Sequence, residues 1–310
     1  MIIDWHTHVH DPKDTVQPYW QGRCPMTIET VIAGNDRAAV DMSVISSAVH
    51  YIRHLSEKET VGAIRSSNEH LARCRDRYPD KVVALATSIP GGGDEHLMEL
   101  ERAVKQDDLR GVLINSSHKG AYPDDDAAKP FFKLVTGLNI PVFIHPGDHG
   151  YGLERMKDYR LTSSIGRPAD NCLALARLIV RGIFEEFPTL KLAGSHLGGG
   201  ICEVIGRMNY AYEYLDQAFF LGPYEPMLIK HPPIHYLKMM YLDSACYHAP
   251  AAQMALETVG ADHFLFGTDS PPMTPLKQRG VEMMAELRMS EKDREKVMGG
   301  NAARLLKIHY

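Results

Sequence analysis

Two histidines close a short apolar run near the start of the chain, within the sequence Asp4-Trp5-His6-Thr7-His8. The run predicts a β-strand. Alternate side chains of a strand share one face, so both imidazoles are expected to point into the same space. Imidazole nitrogens are common ligands of zinc and similar divalent ions. On its own the pair equally fits two surface histidines or the remnant of a purification tag, so other residues must decide.

Three further residues of ligand type follow apolar runs later in the chain: His145, His196 and Asp269. Each one alone has an ordinary explanation, because a histidine after a strand is often a hydrogen-bonded core residue and an aspartate can cap a helix. Together with His6 and His8 they supply four imidazoles and a carboxylate. Such a donor set suits zinc or a similar divalent ion, provided that the fold brings the residues together.

Eight short apolar segments alternate with helical patterns, without a linker between them. The predicted strands cover residues 2–8, 43–49, 82–86, 111–115, 141–145, 190–196, 239–243 and 263–269. The predicted helices cover residues 27–41, 57–78, 95–105, 130–137, 171–187, 203–217, 290–298 and 301–306, and residues 11–26 predict a long loop. Strands that alternate with helices form parallel sheets.

Eight such units predict an α/β fold, a single (β/α)8 TIM barrel that covers residues 1–310 as one domain. An open, doubly wound sheet is the alternative. Catalytic residues of a barrel lie at the C-terminal ends of its strands, which is where all five ligand-type residues occur. The fold prediction and the site prediction therefore support each other.

Composition excludes several classes of partner. The formal net charge is −5, which provides no basic surface for nucleic acid or an anionic membrane. No apolar run approaches the roughly eighteen residues of a membrane span, and the N-terminus lacks a signal-peptide pattern. Five cysteines without a Cys-x-x-Cys pair suit free thiols in a reducing compartment. We therefore expect a cytoplasmic protein with neither nucleic acid nor membrane as a partner.

Several sequence pieces around these residues resemble the amidohydrolase superfamily, in the branch that contains aminocarboxymuconate-semialdehyde decarboxylase. Beyond the first strand, the matching pieces are Phe143-Ile144-His145-Pro146-Gly147-Asp148, Ser195-His196-Leu197-Gly198-Gly199-Gly200, Gly206-Arg207, Leu242-Asp243-Ser244-Ala245, Phe266-Gly267-Thr268-Asp269-Ser270-Pro271 and Gly300-Asn301-Ala302. They occur in the expected order over nearly the whole chain. We interpret the three glycines after His196 as room for backbone near the metal.

The resemblance implies a site with one metal ion, because Asn115 stands where members with two ions carry a bridging ligand. The ion is expected to be zinc, with manganese as the alternative. Its ligands would be His6, His8, His145 and Asp269, with a water molecule completing the shell. His196 would act on that water as general base, and Asp269 could also receive a proton.

The resemblance also implies a homodimer and a role for Arg207, which would bind a substrate carboxylate in the neighbouring subunit. Read from the residues alone, Arg207 is an arginine on a helix surface. The chain departs from the family decarboxylase at Gly147, where a tryptophan is usual, and at Ser270. Its loop after the first strand is shorter, and Arg23 is a candidate for the second substrate arginine. These departures concern the substrate and leave the metal ligands intact.

The expected activity is non-oxidative decarboxylation of a small unsaturated or aromatic carboxylic acid by way of a metal-bound water or hydroxide. Hydrolysis of an amide, lactone or ester-like bond is the alternative, followed by hydration of a conjugated diacid. A binding protein with a structural metal is disfavoured, because structural zinc sites are closed by four protein ligands. Asp148 follows His145 closely and could orient it. Five histidines near strand ends could line the pocket but fit structural or solvated positions better: His10, His50, His118, His149 and His248.

Overall fold

Short parallel strands form the centre of the computed structural model, which describes residues 1–11, 26–48, 52, 54–147, 152–214, 226–271 and 276–309. Within these ranges the strands are β1 (Ile3–His8), β2 (Met42–Ser46), β3 (Val82–Ala84), β4 (Ala86–Thr87), β5 (Val112–Asn115), β6 (Val142–His145), β7 (Leu192–Gly194), β8 (Tyr241–Asp243) and β9 (Phe264–Leu265). Each lies inside one of the eight predicted segments or overlaps it, and β3 and β4 together fill the third.

The strands pair in parallel in the order of the chain and close into a ring. β1, β2 and β3 form one run, and β4 to β9 form the other. Only Leu85 separates β3 from β4, and its N–H donates to Ile45 O at 2.9 Å. At the other seam Trp5 N donates to Phe266 O at 2.9 Å, and Thr7 pairs in parallel with Ser270. These backbone contacts join β1 to the segment directly after β9, as expected for a barrel rather than an open sheet.

Helices cover the outside of the ring. In the described ranges they are α1 (Ile28–Ala38), α2 (Glu57–Arg77), α3 (Asp94–Lys105), α4 (Lys129–Leu138), α5 (Arg167–Val180), α6 (Ile183–Glu186), α7 (Ile201–Glu213), α8 (Pro233–Leu237), α9 (Ala249–Val259), α10 (Leu276–Glu286), α11 (Glu291–Glu295) and α12 (Asn301–Leu306). The start of α2 follows from its sequence, because Ser56 and Glu59 form a capping box. None of these helices combines the length and apolar character needed to cross a membrane.

The helix predictions were wrong for the predicted helix 171–187 and missed three further helices. The predicted helix 171–187 begins earlier, at Arg167, and is divided into α5 and α6 by Gly182, whose φ of 72° is left-handed. Helices α8, α9 and α10 fall where no element was predicted. Residues 12–25 of the predicted loop and residues 215–217 at the end of a predicted helix lie outside the described ranges.

The core has two layers. Between strands and helices lies the larger layer, which includes Ile45, Val112, Ile144 and Phe264. The smaller layer fills the floor of the barrel and includes Val44, Leu113, Phe143 and Leu265, together with Trp5. The Trp5 and Phe143 rings meet edge to face, with centroids 5.7 Å apart. The barrel is therefore a packed core with its mouth above Phe143.

A β-bulge in β1 turns the two histidines into that mouth. The register between β1 and β2 shifts between Asp4 and Thr7. In a regular strand Trp5 and His6 would point to opposite faces, yet both rings contact Phe143, at 5.7 and 5.0 Å. A bulge re-aims side chains in this way. Trp5 thus belongs to the floor, whereas His6 and His8 line the mouth above it.

A buried ion pair joins this strand to α10. Lys277 Nζ donates to Asp4 Oδ2 at 2.5 Å and to Ser43 Oγ at 3.0 Å, and both charged side chains are 1% exposed or less. Asp4 Oδ1 also accepts from Thr268 N at 3.0 Å and His6 N at 3.1 Å. One carboxylate therefore holds β1 to the segment that carries Asp269.

We expect Lys277→Met to lower the free energy of unfolding by about 3–5 kcal/mol, because it leaves the Asp4 charge buried without its counter-ion. Urea denaturation followed by circular dichroism measures this loss. Lys133→Met, at an exposed position of α4, is the matched control and should change stability by less than about 0.5 kcal/mol. A Lys277→Met variant as stable as the control variant would contradict the structural role of the pair.

Candidate metal centre

The five predicted residues meet at the mouth of the barrel. His6 and His8 come from β1, His145 ends β6, His196 follows β7, and Asp269 follows β9. The side chains of His6, His8 and His145 are at most 4% exposed, whereas His196 and Asp269 are 18% and 26% exposed. Three imidazoles thus form the wall of the site, and an imidazole and a carboxylate face its opening.

The donor atoms converge at separations that fit a shared cation. His8 Nε2 lies 3.1 Å from His6 Nε2 and 3.2 Å from His145 Nε2. Asp269 Oδ1 lies 3.3 Å from His6 Nε2 and 3.1 Å from His8 Nε2. Nitrogen ligands about 2.05 Å from a tetrahedral zinc ion lie about 3.3 Å from one another. The observed separations therefore match the edges of such a coordination shell.

The two oxygens of Asp269 face different partners. Oδ1 points to the imidazoles of His6, His8 and His145, at 3.3, 3.1 and 3.9 Å, whereas Oδ2 lies 3.3 Å from His196 Nε2. A metal-like group of four also forms with His196 in place of His8, since the ligand atoms of His6, His145, His196 and Asp269 all lie within 4.8 Å. The shorter contacts of His8, however, place it with the buried imidazoles.

Partners behind the imidazoles orient their rings. His6 Nδ1 lies 2.7 Å from Asp243 Oδ2, and this contact directs Nε2 into the mouth. Ser46 Oγ lies 3.4 Å from His8 Nδ1, and Ser195 Oγ lies 2.9 Å from His196 Nδ1. With their Nδ1 atoms engaged, these three rings present Nε2 to the mouth.

Burial and charge set the protonation of the site. Burial lowers the pKa of His8 and takes that of His145 well below its usual value, so both rings are neutral donors. For His6, burial is outweighed by Asp243 and Asp269, which raise its pKa to about 10. The pKa of Asp269 lies well below its usual value, because His6 and the other imidazoles overcome the effect of burial. The carboxylates of Asp243 and Asp269 thus favour a positive charge at the centre of the site.

The backbone that carries His196 and Asp269 is left-handed. His196 and Leu197 have φ of 54° and 56°, and Asp269 has φ of 52°. Such conformations cost about 1–3 kcal/mol each and persist where the surroundings hold them. Asp243 supplies part of that hold, because its Oδ1 accepts from His196 N at 2.8 Å and from Ala245 N at 3.0 Å.

The structure corrects the interpretation of Gly199 and shows the surroundings of three further histidines. Gly199 does not serve to make room at the metal: a Cβ there would lie 1.9 Å from Pro168 O, so the glycine permits α5 to approach. His248 accepts from Ala251 N as the N-cap of α9, a structural role. His10 is buried with Nδ1 2.9 Å from Ser47 Oγ, and His118 pairs with Ala121.

Other predicted residues lie apart from the cluster. Arg207 is exposed on α7, and Asn115 ends β5 beside Gly147. His50, Arg23, Asp148 and His149 lie outside the described residues. Sequence reasoning missed the roles of Asp243 and Lys277, although Asp243 carried a signal, since it is an acid at the end of an apolar strand.

Replacing Asp243 by asparagine should weaken divalent-metal affinity by about 10–100-fold, because the neutral amide makes His6 a poorer donor. Competition with a chromogenic chelator measures the dissociation constant. Asp80→Asn changes an exposed carboxylate far from the mouth and should leave the affinity unchanged. Equal affinities for both variants would show that Asp243 does not act through the metal site.

Comparison with known proteins agrees with this geometry. The family model described as amidohydrolase matches residues 3–308. Among curated proteins, a 2-amino-3-carboxymuconate-6-semialdehyde decarboxylase of Dictyostelium discoideum is 28% identical over 275 residues. That match covers 87% of this chain and 74% of the relative.

Solved structures share the fold over almost the whole chain. A 5-carboxyvanillate decarboxylase from Sphingomonas paucimobilis has a TM-score of 0.85 at 23% identity, with 99% of both chains covered. A dihydroxybenzoic acid decarboxylase from Polaromonas sp. JS666, solved with manganese and the inhibitor 2-nitroresorcinol, has a TM-score of 0.83 at 20% identity, covering 99% of this chain and 97% of that one. The barrel is confirmed by this likeness, and the match of the family model over residues 3–308 means that the chain belongs to the amidohydrolase family.

Proposed function

We propose that this protein is a metal-dependent non-oxidative decarboxylase of a small unsaturated or aromatic carboxylic acid. The observation that carries the proposal is that the two oxygens of Asp269 have different neighbours. Oδ1 lies near three buried imidazoles, and Oδ2 lies near the partly exposed His196. Relatives named as decarboxylases support the same activity.

The ligands that we propose for the ion are His6, His8, His145 and Asp269. Three imidazoles and one carboxylate suit zinc, and manganese is the competing ion because a similar structure contains it. When bound, the ion supplies a positive charge that attracts the oxygens of an acid substrate and stabilises negative charge that develops in the reaction. Metal analysis of the purified protein, followed by activity after reconstitution with each ion, separates zinc from manganese.

The remaining chemistry belongs to His196 and Asp269. Decarboxylation breaks a carbon–carbon bond, releases carbon dioxide and places a proton on the carbon that held the carboxylate. His196 Nε2 is partly exposed and lies 3.3 Å from Asp269 Oδ2, so the pair can take a proton from water and deliver it to that carbon. Ser195 Oγ orients the ring through Nδ1.

Carbon dioxide release from aromatic and conjugated carboxylic acids tests the activity. We expect release by metal-loaded protein that stops with a chelator and falls by about 10²–10⁴-fold in His196→Asn, with metal content unchanged. His235→Asn, at an exposed position of α8, is the control and should retain full activity. If metal-loaded protein releases no carbon dioxide, the proposal fails, and amides, lactones and conjugated diacids become the substrates to assay.

We also propose a homodimer in which Arg207 completes the site of the partner. Its support is the exposed face of α7 and its C-cap residue Tyr214, where Val204, Tyr210 and Tyr214 are 38%, 49% and 42% exposed around Arg207. Residues three, four and seven apart share a helix face, so these apolar side chains and Arg207 form one stripe. An apolar stripe of this kind is typical of a protein interface.

Mixed dimers test this arrangement. Arg207→Met and Asp269→Ala should each be inactive alone, whereas subunits exchanged in a one-to-one mixture should recover about a quarter of wild-type activity, since half the dimers are mixed and each has one intact site. Light scattering checks the dimer itself. Absence of recovery in demonstrably mixed dimers would assign Arg207 to its own subunit or to no site.

The described cysteines are consistent with a cytoplasmic location, which we propose on that ground. Cys74, Cys172, Cys202 and Cys246 are free thiols. Burial raises the pKa of Cys74 to about 11 and that of Cys202 to about 12, so both remain protonated and unreactive.

A further inference from the structure

Arg167 is the first residue of α5, and its side chain reaches back to the mouth of the barrel. Its Nη2 donates to Pro146 O at 3.4 Å, and Pro146 directly follows His145. Arg167 therefore lies on the His145 side of the candidate metal centre.

The guanidinium of Arg167 has a hydrogen-bond donor without a partner among the described residues. Its Nε is buried and has no hydrogen-bond partner, and no carboxylate among the described residues lies within 4 Å of it. Among the described residues, the guanidinium makes one long hydrogen bond, from Nη2 to Pro146 O. The edge formed by Nε and Nη2 therefore has few partners. An unpaired buried donor is costly, and more so on a charged group. This edge is suited to an anionic partner, and the part of the chain that the structure describes does not supply one there.

The obvious internal partner, Asp170, is already engaged one turn further along α5. Its side chain is fully buried, and it accepts hydrogen bonds from the hydroxyls of Ser116, Ser117 and Tyr122. Ser116 Oγ in turn accepts from Gly147 N at 3.3 Å. Asp170 thus anchors the first turn of α5 to the ends of β5 and β6 and is not available to Arg167.

We propose that Arg167 binds a second carboxylate of the substrate, one that the reaction does not remove. This assignment rests on the proposed decarboxylase function. The carboxylate that leaves must lie near His196 and Asp269, where the proton is delivered, whereas Arg167 lies behind Pro146 on the His145 side. Carboxylates bind side-on to a guanidinium edge through two parallel hydrogen bonds. The substrate class is therefore an unsaturated or aromatic dicarboxylic acid.

Binding of simple acids tests the proposal without the unknown substrate. The probes are benzoate and the three benzenedicarboxylates, with 1,2, 1,3 and 1,4 spacing, titrated by calorimetry into full-length metal-loaded protein. At least one diacid should bind wild type more tightly than benzoate does. Arg167→Met should lower the affinity for that diacid by about 10–100-fold and leave benzoate unchanged, because only the diacid reaches the guanidinium. Arg167→Lys should lose affinity for the diacid to a smaller extent.

Arg155→Met, which changes an 87% exposed arginine, is the matched control and should bind all four acids as wild type does. Equal loss for benzoate and the diacid in Arg167→Met would overturn the assignment, as would wild-type protein that does not prefer any diacid. Metal content and thermal unfolding of each variant establish that the site is intact. Preference for a diacid that depends on Arg167, without carbon dioxide release from any acid, would retain this subsite and reject the decarboxylase function.

Discussion

The seam between β1 and the segment after β9 is the contact on which the site depends. Trp5 and Phe266 are joined through their backbones, as are His8 and Ser270, at 2.9 and 2.8 Å. This seam places two residues from the start of the chain beside Asp269, which lies near its end. Closing so long a loop costs conformational entropy, and the packing of the whole barrel offsets that cost. The Asp4–Lys277 ion pair then secures the seam from outside the ring.

Once the barrel is closed, the carboxylates of Asp243 and Asp269 determine the charge of the site. Asp243 lies behind His6, and Asp269 lies in front of it. Between two carboxylates and among neutral imidazoles, a positive charge is strongly favoured. Asp243 also holds the left-handed turn of His196 by accepting its N–H. A single buried carboxylate therefore links β1, which carries His6, to His196 at the opening of the mouth.

Much of this arrangement could be predicted from the sequence. Strand positions followed from apolar runs, and the meeting of five distant residues followed from the rule that strand ends converge in a barrel. Their individual roles as ligands or base stay predictions, because distances alone do not assign them. The bulge in β1 could not be predicted, since it depends on pairing with β2 rather than on local pattern. The sequence around Asp170 and Lys277 gives no sign that these charged side chains are buried, and only their tertiary contacts reveal it.

The anchoring of α5 allows the shape of the pocket wall to change independently of the position of His145. Gly147 is held through Ser116 to Asp170, and Pro146 is held by Arg167, so both residues after His145 are fixed to the first turn of α5. Substitutions elsewhere around the mouth can therefore change the wall of the pocket while His145 keeps its position. Lineages that descend from this scaffold can thus diversify in the acids they accept without rebuilding the metal chemistry.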